Sequence, residues 1–116
     1  MRRKFFANGS ISIGHCMSAL TKLAEGMPCM CRLPNICNFD SRTTVLCHLN
    51  DLSVGRGAYH KPHDLLSFWG CDNCHSAVDG RRYGLTKEVK RAAAHEAHCR
   101  TLAYLLANNL IEVKAR

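Results

Sequence analysis

Long apolar runs are missing from this sequence of 116 residues. The longest comparable run in the second half, Leu102 to Ala107, is too short for a membrane-spanning helix, which needs about 20 residues. Residues 7–15 follow a basic start but are too polar for the hydrophobic core of a signal peptide. We therefore expect a cytoplasmic protein with no membrane contact, in which cysteines stay reduced.

Acidic residues are also scarce, because 9 Asp and Glu stand against 16 Lys and Arg, which gives a formal net charge of +7. This imbalance favours a polyanionic partner such as nucleic acid. Part of the excess lies in residues 81–91, where Arg81, Arg82 and three further basic residues face one acid. A phosphate-contacting surface and a solvated helix face are equally consistent with this cluster.

Internal repeats and low-complexity segments are absent, and the length favours one small domain. We expect residues 17–116 to form it, with residues 1–16 as a poorly anchored N-terminal extension. Apolar spacing predicts a short helix over residues 18–25, and β-branched residues predict a strand over residues 43–48. Thr86 is a suitable N-cap for a long helix that ends near residue 107 and has Val89 and Leu106 among its apolar positions.

Eight cysteines in so short a chain indicate either a secreted disulfide scaffold or an intracellular metal site. The lack of a signal peptide favours the metal site. Cys71 and Cys74, separated by two residues, can direct both thiols at one metal ion. His75 follows directly and points out of this turn, so it is held rigidly and is free for another role.

A tetrahedral zinc site needs two further ligands, which we expect from Cys29, Cys31 and Cys37. Cys29 with Cys37 is the preferred pair, because these thiols flank a Pro-Asn turn. Cys31 is not excluded as a replacement for either, whereas Cys29 with Cys31 is the least suitable pair, since alternate residues of a strand point to opposite faces. The remaining cysteines are expected to be small buried apolar residues: Cys16, Cys47 and Cys99.

Histidines offer acid–base and metal chemistry at two further places. His48 ends the predicted strand, where a neutral imidazole could take a proton from water, although a structural role is the commoner fate of such a residue. His95 shares a predicted helix face with Cys99, and it also lies three residues before His98. Either pair could bind a second metal, but ordinary surface or core roles are favoured.

The segment between the predicted strand and Cys71 contains Gly55-Arg56-Gly57 and Lys61. Glycines allow close approach of the backbone to a ligand, and Arg56 and Lys61 would add positive charge. An ordinary flexible loop remains the favoured interpretation, because a lone Gly-x-Gly is common.

The order of these residues resembles the zinc-stapled branch of the HNH, or ββα-metal, nuclease superfamily, and within it the small YbcO-like nucleases of prophages. The resemblance covers about residues 18–114. It is carried by residues that are weak matches singly and fairly specific in combination: Cys29, Arg32, Pro34, Cys37-Asn38, Thr43-Thr44-Val45-Leu46, His48, Gly55, Gly57, Lys61-Pro62, Asp64, Cys71, Cys74-His75, Asp79 and Arg100-Thr101.

The resemblance implies an α+β fold, namely a small zinc-bound treble-clef or ββα-metal domain with a long C-terminal helix. It implies that four thiols hold a structural Zn²⁺: Cys29, Cys37, Cys71 and Cys74. His48 matches the general base, and His75 matches a ligand of the catalytic divalent ion, Mg²⁺ or another.

The chain departs from the superfamily pattern at Cys47. An acidic metal ligand often precedes the base, and a thiol is a poor partner for a hard ion. Asp64 and Asp79 are the candidates to replace that ligand. Asp64 also falls near the middle Asn of the pattern, where it would orient the base instead.

Together the residues and the resemblance predict a metal-dependent endonuclease that hydrolyses nucleic-acid phosphodiester bonds, expected in DNA, during phage recombination or DNA processing. The nucleic-acid backbone would be held by basic residues that confer little sequence choice: Arg56, Lys61, Arg81 and Arg82. The alternative is a non-catalytic zinc-finger module that binds nucleic acid or serves as an adaptor among phage recombination or replication proteins.

Overall fold

The computed structural model of this α+β protein describes residues 19–49 and 63–114. The proposed N-terminal extension, Cys16, and the loop residues Arg56 and Lys61 lie outside the described residues. The described elements are, in order, helix α1 (Ala19–Ala24), a 3₁₀ turn (Ser41–Thr43), strand β1 (Val45–His48), strand β2 (Ser67–Gly70), helix α2 (Asp72–Asp79) and helix α3 (Lys87–Ala107).

Strands β1 and β2 form a two-stranded antiparallel sheet in which His48 lies opposite Ser67. One further backbone bond, from Leu49 N to Leu66 O, continues the pairing past His48. The predicted strand over residues 43–48 is therefore confirmed over its last four residues, Val45–His48. Its first residue belongs instead to the 3₁₀ turn, because the Asp40 side chain caps that turn by accepting from the Arg42 amide.

Helix α3 begins where its N-cap was predicted, since the Thr86 hydroxyl accepts a hydrogen bond from the Val89 amide. Its predicted apolar side is wrong at two positions, because Val89 and Leu106 are each 45% exposed. In the described ranges the sheet beneath has two strands, and the buried residues of the helix form a narrow strip: Ala94, Ala97, Thr101 and Leu105. Across the described ranges, no helix has the length and apolarity to cross a membrane.

The two faces of the sheet have different neighbours, because side chains alternate along a strand. Leu46 and Trp69 share a cavity with residues of α1 and α3, and Trp69 also packs edge-to-face on Tyr104 of α3, with ring centroids 5.3 Å apart. On the other face, the Cys47 side chain lies against Gly70. A Cβ atom at Gly70 would lie 3.1 Å from the Cys47 sulfur, so no larger residue fits there without displacement.

A buried hydroxyl joins the sheet to α3. The Thr101 hydroxyl accepts from the Trp69 amide at 3.1 Å and donates to the Ala97 carbonyl at 2.9 Å. Thr101→Val keeps the side-chain shape but leaves the buried Trp69 amide without this partner. We expect it to lower the free energy of unfolding by about 1–3 kcal/mol. Urea denaturation measures this change, with Thr101→Ser as the matched control that retains the hydroxyl. Equal stability of wild type and the valine variant would contradict the assignment.

Candidate functional site

Four cysteine thiols meet beside the N-terminus of α2. Cys29 and Cys37 come from the loop that follows α1, and Cys71 and Cys74 come from the junction of β2 and α2. The four sulfur atoms all lie within 4.8 Å of one another. Among the described residues, this is the one group of three or more potential metal ligands at such distances. The structure thus brings together the four thiols that the sequence had favoured.

Backbone amides surround these sulfurs. Cys29 Sγ accepts from the amides of Arg32 and Cys71, at 3.5 and 3.2 Å. Cys37 Sγ accepts from the Phe39 amide at 3.3 Å, and Cys71 Sγ accepts from the Cys74 amide at 3.4 Å. A neutral thiol is a weak acceptor, so amides aimed at sulfur suit thiolates that bind a cation.

The thiols of Cys29 and Cys37 both have a raised pKa. The hydrogen bond with Cys74 and burial raise the pKa of Cys29 to about 12. Burial is the main cause that raises the pKa of Cys37 to about 11. A metal ion must therefore displace these protons, so its affinity falls as pH falls. Four sulfur donors at this spacing fit a tetrahedral soft or borderline ion such as Zn²⁺.

Cys31 and Cys47 lie beside this cluster, whereas Cys99 does not. Cys31 hydrogen-bonds with the Cys74 thiol but stands outside the group of four. Cys47 is buried, as expected, and burial followed by the charge of Asp79 raises its pKa. Cys99 is exposed, which corrects the expectation that it is buried. Its sulfur lies 3.7 Å from His95 Nε2, while His98 donates to the Ser67 carbonyl.

His48 and Asp64 form the first of two histidine–carboxylate pairs. His48 Nε2 lies 2.7 Å from Asp64 Oδ1, and the two side chains are 22% and 25% exposed. The Ser67 hydroxyl donates to the Asp64 backbone carbonyl and so fixes the loop that carries the carboxylate. When Nε2 donates its proton to Asp64, Nδ1 retains the lone pair that a base requires.

His75 and Asp79 form the second pair, one turn apart on α2. His75 Nε2 lies 3.0 Å from Asp79 Oδ2, and both side chains are 38% exposed. The hydrogen bond to Asp79 is the main cause that raises the pKa of His75 above its usual range. An imidazole nitrogen with a carboxylate oxygen is a donor set suited to a divalent ion.

The two pairs lie on different elements, since His48 ends β1 whereas His75 and Asp79 are both on α2. Cys47 points towards α2, because the charge of Asp79 affects its thiol. Alternation along β1 therefore directs His48 away from Cys47, to the face that carries Leu46. The structure presents two separate histidine–carboxylate pairs. In the described parts of the chain they do not merge into one group of three close ligands.

A group of basic residues lies in the connection between α2 and α3 and in the first turn of α3. Arg81 and Arg82 are exposed, and the Arg82 guanidinium lies over the Tyr83 ring, 5.2 Å from its centroid. Lys87 is exposed in the first turn of α3. Lys90 is less accessible and donates to the Gly80 carbonyl at 2.7 Å. Arg81, Arg82 and Lys87 are therefore available to a polyanion.

Sequence reasoning missed the bonds that hold the loop before β1 against α2. The Thr43 hydroxyl accepts from the Asp72 amide at 3.1 Å, and the Asn73 side chain donates to the Ile36 carbonyl at 3.0 Å. Arg100 likewise donates to the Met30 carbonyl at 2.7 Å. These contacts join residues 29 to 70 positions apart, so local sequence patterns carry no signal for them.

Comparison with known proteins identifies similar chains. The family model described as "Putative nuclease YbcO" matches residues 18–109. "Putative nuclease YbcO" of Escherichia coli (strain K12) and "Putative nuclease ybcO" of Enterobacteria phage 82 are each 32% identical over 96 residues, covering 83% of this chain and 99% of the relative.

A solved structure is also similar. "Structure of a putative bacteriophage protein from Escherichia coli str. K-12 substr. MG1655" matches with a TM-score of 0.64 and 30% identity, over 78% of this chain and 99% of that chain. The range matched by the family model includes the thiol cluster and the two histidine–carboxylate pairs. This chain belongs to the YbcO family.

Proposed function

We propose that this chain is a metal-dependent endonuclease of the HNH type that hydrolyses phosphodiester bonds in DNA. The observation that carries the proposal is that one small domain holds two histidine–carboxylate pairs and a thiol cluster that fits zinc. The relatives' names, which describe them as nucleases, support the same reaction class. The phage origin of one of them supports a role in phage recombination or DNA processing.

The zinc-bound thiols have a structural role in this proposal. Residues 17–116 form one treble-clef, ββα-metal domain, preceded by an N-terminal extension. Zn²⁺ on the four cysteines fixes α2 relative to the sheet, because β2 leads into α2 through Cys71. Cys31 remains a neighbouring thiol and not a ligand.

The two pairs divide the chemistry between them. His75 and Asp79 would hold a divalent ion such as Mg²⁺, which when bound would supply electrostatic stabilisation of the charge that grows on the scissile phosphate. His48 takes a proton from the attacking water, and Asp64 holds its imidazole in the required tautomer.

A nicking assay on supercoiled plasmid tests the proposal. Zinc-loaded protein is incubated without added ions and with Mg²⁺, Mn²⁺ or Ni²⁺, and nicked and linear products are separated on a gel. Cutting that depends on the added ion supports the nuclease. Binding without cutting under all these conditions would contradict it and favour the alternative, a non-catalytic zinc-finger module.

Arg81 and Arg82 are expected to contact the nucleic-acid backbone. Replacing both with alanine should weaken binding about equally for different sequences. It should also lower the slope of log affinity against log salt by about one for each phosphate that the variant no longer touches. Fluorescence anisotropy with labelled DNA over a salt series measures this slope. Lys22→Ala, at an exposed basic position on α1, is the matched control. An unchanged slope in the double variant would contradict the expected contacts.

A further inference from the structure

Phe39 is unusual in both its exposure and its backbone. The side chain is 77% exposed, the most of any large apolar residue in the described ranges. Its φ is 52°, in the left-handed region that bulky L-residues seldom adopt. An aromatic ring at such a position gains little burial and strains the backbone, whereas glycine would adopt the same φ without steric cost.

Two hydrogen bonds flank this backbone conformation. The Phe39 amide donates to Cys37 Sγ, and the next amide, that of Asp40, donates to the Asn38 side chain at 2.8 Å. The positive φ at Phe39 turns the peptide that follows it, whose amide reaches Asn38. These bonds suit the turn, but they do not account for a large aromatic residue at this position.

The loop that carries Phe39 is fixed to the helix that carries His75. The Asn38 side chain donates to the Thr43 hydroxyl, which in turn accepts from the Asp72 amide at the start of α2. The ring is therefore presented from a rigid support attached to α2. A partner that contacts a ring held in this way loses less conformational entropy than one that must order a mobile loop.

We propose that Phe39 is a stacking platform for an unpaired base of the nucleic-acid substrate. This inference rests on the proposed function and adds to it a preference for DNA with single-stranded character. A flat exposed ring suits any base, since every base has a π-face.

Charge beside the ring supports stacking as the main interaction. Arg42 and Asp40 form a paired contact, with Nε–Oδ1 at 3.0 Å and Nη2–Oδ2 at 3.1 Å, so their charges offset each other. Under the proposed function, Arg81 and Arg82 attract the phosphates, and Arg42 does not. The contribution of Phe39 should therefore depend little on salt, in contrast to theirs.

Binding to a single-stranded oligonucleotide of about 12 nucleotides, and to the same sequence as a blunt duplex, tests the platform. Zinc-loaded protein is used without added Mg²⁺, so that no strand is cut. Phe39→Gly should weaken single-strand binding about tenfold with an unchanged salt slope, leave duplex binding nearly unaltered, and melt at the same or a higher temperature. Phe39→Trp should retain binding, and its exposed indole should be quenched by the oligonucleotide, whereas Phe39→Leu should bind like the glycine variant.

Several outcomes would overturn the inference. These are full single-strand affinity in Phe39→Gly, full affinity in Phe39→Leu, absence of single-strand binding by wild type, or a change in self-association in place of DNA binding. The fate of the nuclease proposal is separate. Binding that depends on Phe39 without any cleavage would support the stacking platform and contradict the nuclease proposal. Cleavage of single-stranded DNA at the same rate in wild type and Phe39→Gly would support the nuclease proposal and contradict the platform.

Discussion

His48→Ala is expected to lose at least about a hundredfold in the rate of ion-dependent cleavage, because it removes the group that takes a proton from water. DNA affinity, zinc content and melting temperature should change little, since the imidazole is partly exposed and lies outside the thiol cluster. Single-turnover cleavage of a labelled duplex measures the chemical step without interference from product release.

The control for this variant is His95→Ala, which removes an exposed histidine from α3. It should cleave like wild type. If His48→Ala retains more than about a tenth of the wild-type rate, His48 is not the general base. Loss of cleavage together with loss of zinc would instead indicate that the variant is misfolded, and zinc analysis of the same sample distinguishes the two cases.

Cys71→Ser is expected to abolish stoichiometric zinc binding and cooperative thermal unfolding. Cys71 is fully buried, and its sulfur serves both the thiol cluster and the N-cap of α2. Structural zinc contributes about 10–16 kcal/mol in zinc-finger peptides, which is as large as the whole stability of a typical domain. Loss of one of four ligands should therefore remove the native fold, and a strong chelator should do the same to wild type.

Metal analysis and circular dichroism melts of wild type and Cys71→Ser measure the effect. Cys99→Ser, at an exposed cysteine outside the cluster, should keep about one zinc per chain and the wild-type melt. Cys31 is the neighbouring thiol that could substitute as a ligand, so Cys71→Ser is also combined with Cys31→Ser. Full zinc content and an unchanged melt in this double variant would show that the four-thiol site is not structural.

Local patterns predicted those parts of the fold that local interactions stabilise. Helix α3 begins at Thr86 because a threonine hydroxyl caps its first turn, and that signal is visible in the sequence. Strand β2 and helix α2 were not predicted. β2 has only four residues, and the N-cap of α2 is a cysteine, which carries no ordinary capping signal. Their stability comes from tertiary contacts and the thiol cluster.

The candidate site likewise contains one pair that follows from local spacing and one pair that depends on tertiary structure. The pairing of His75 with Asp79 follows from a spacing of four residues on a helix, although it could be seen only once α2 was known. The pairing of His48 with Asp64 spans 16 residues and depends on the register of the sheet. Asp64 and Asp79 were both candidates from the sequence, and the structure pairs Asp64 with His48 and Asp79 with His75.

The position of Cys71 at the N-cap of α2 has a consequence for the order in which metals are acquired. The first turn of the helix that presents His75 is held at its start by a sulfur of the thiol cluster. Zinc would therefore be loaded, under the proposed function, before the second ion finds a formed site, and the reverse sequence of addition would leave the second ion without a defined pair of ligands. Under the proposed function, newly made protein would stay inactive until the cell supplies zinc, whatever the concentration of magnesium.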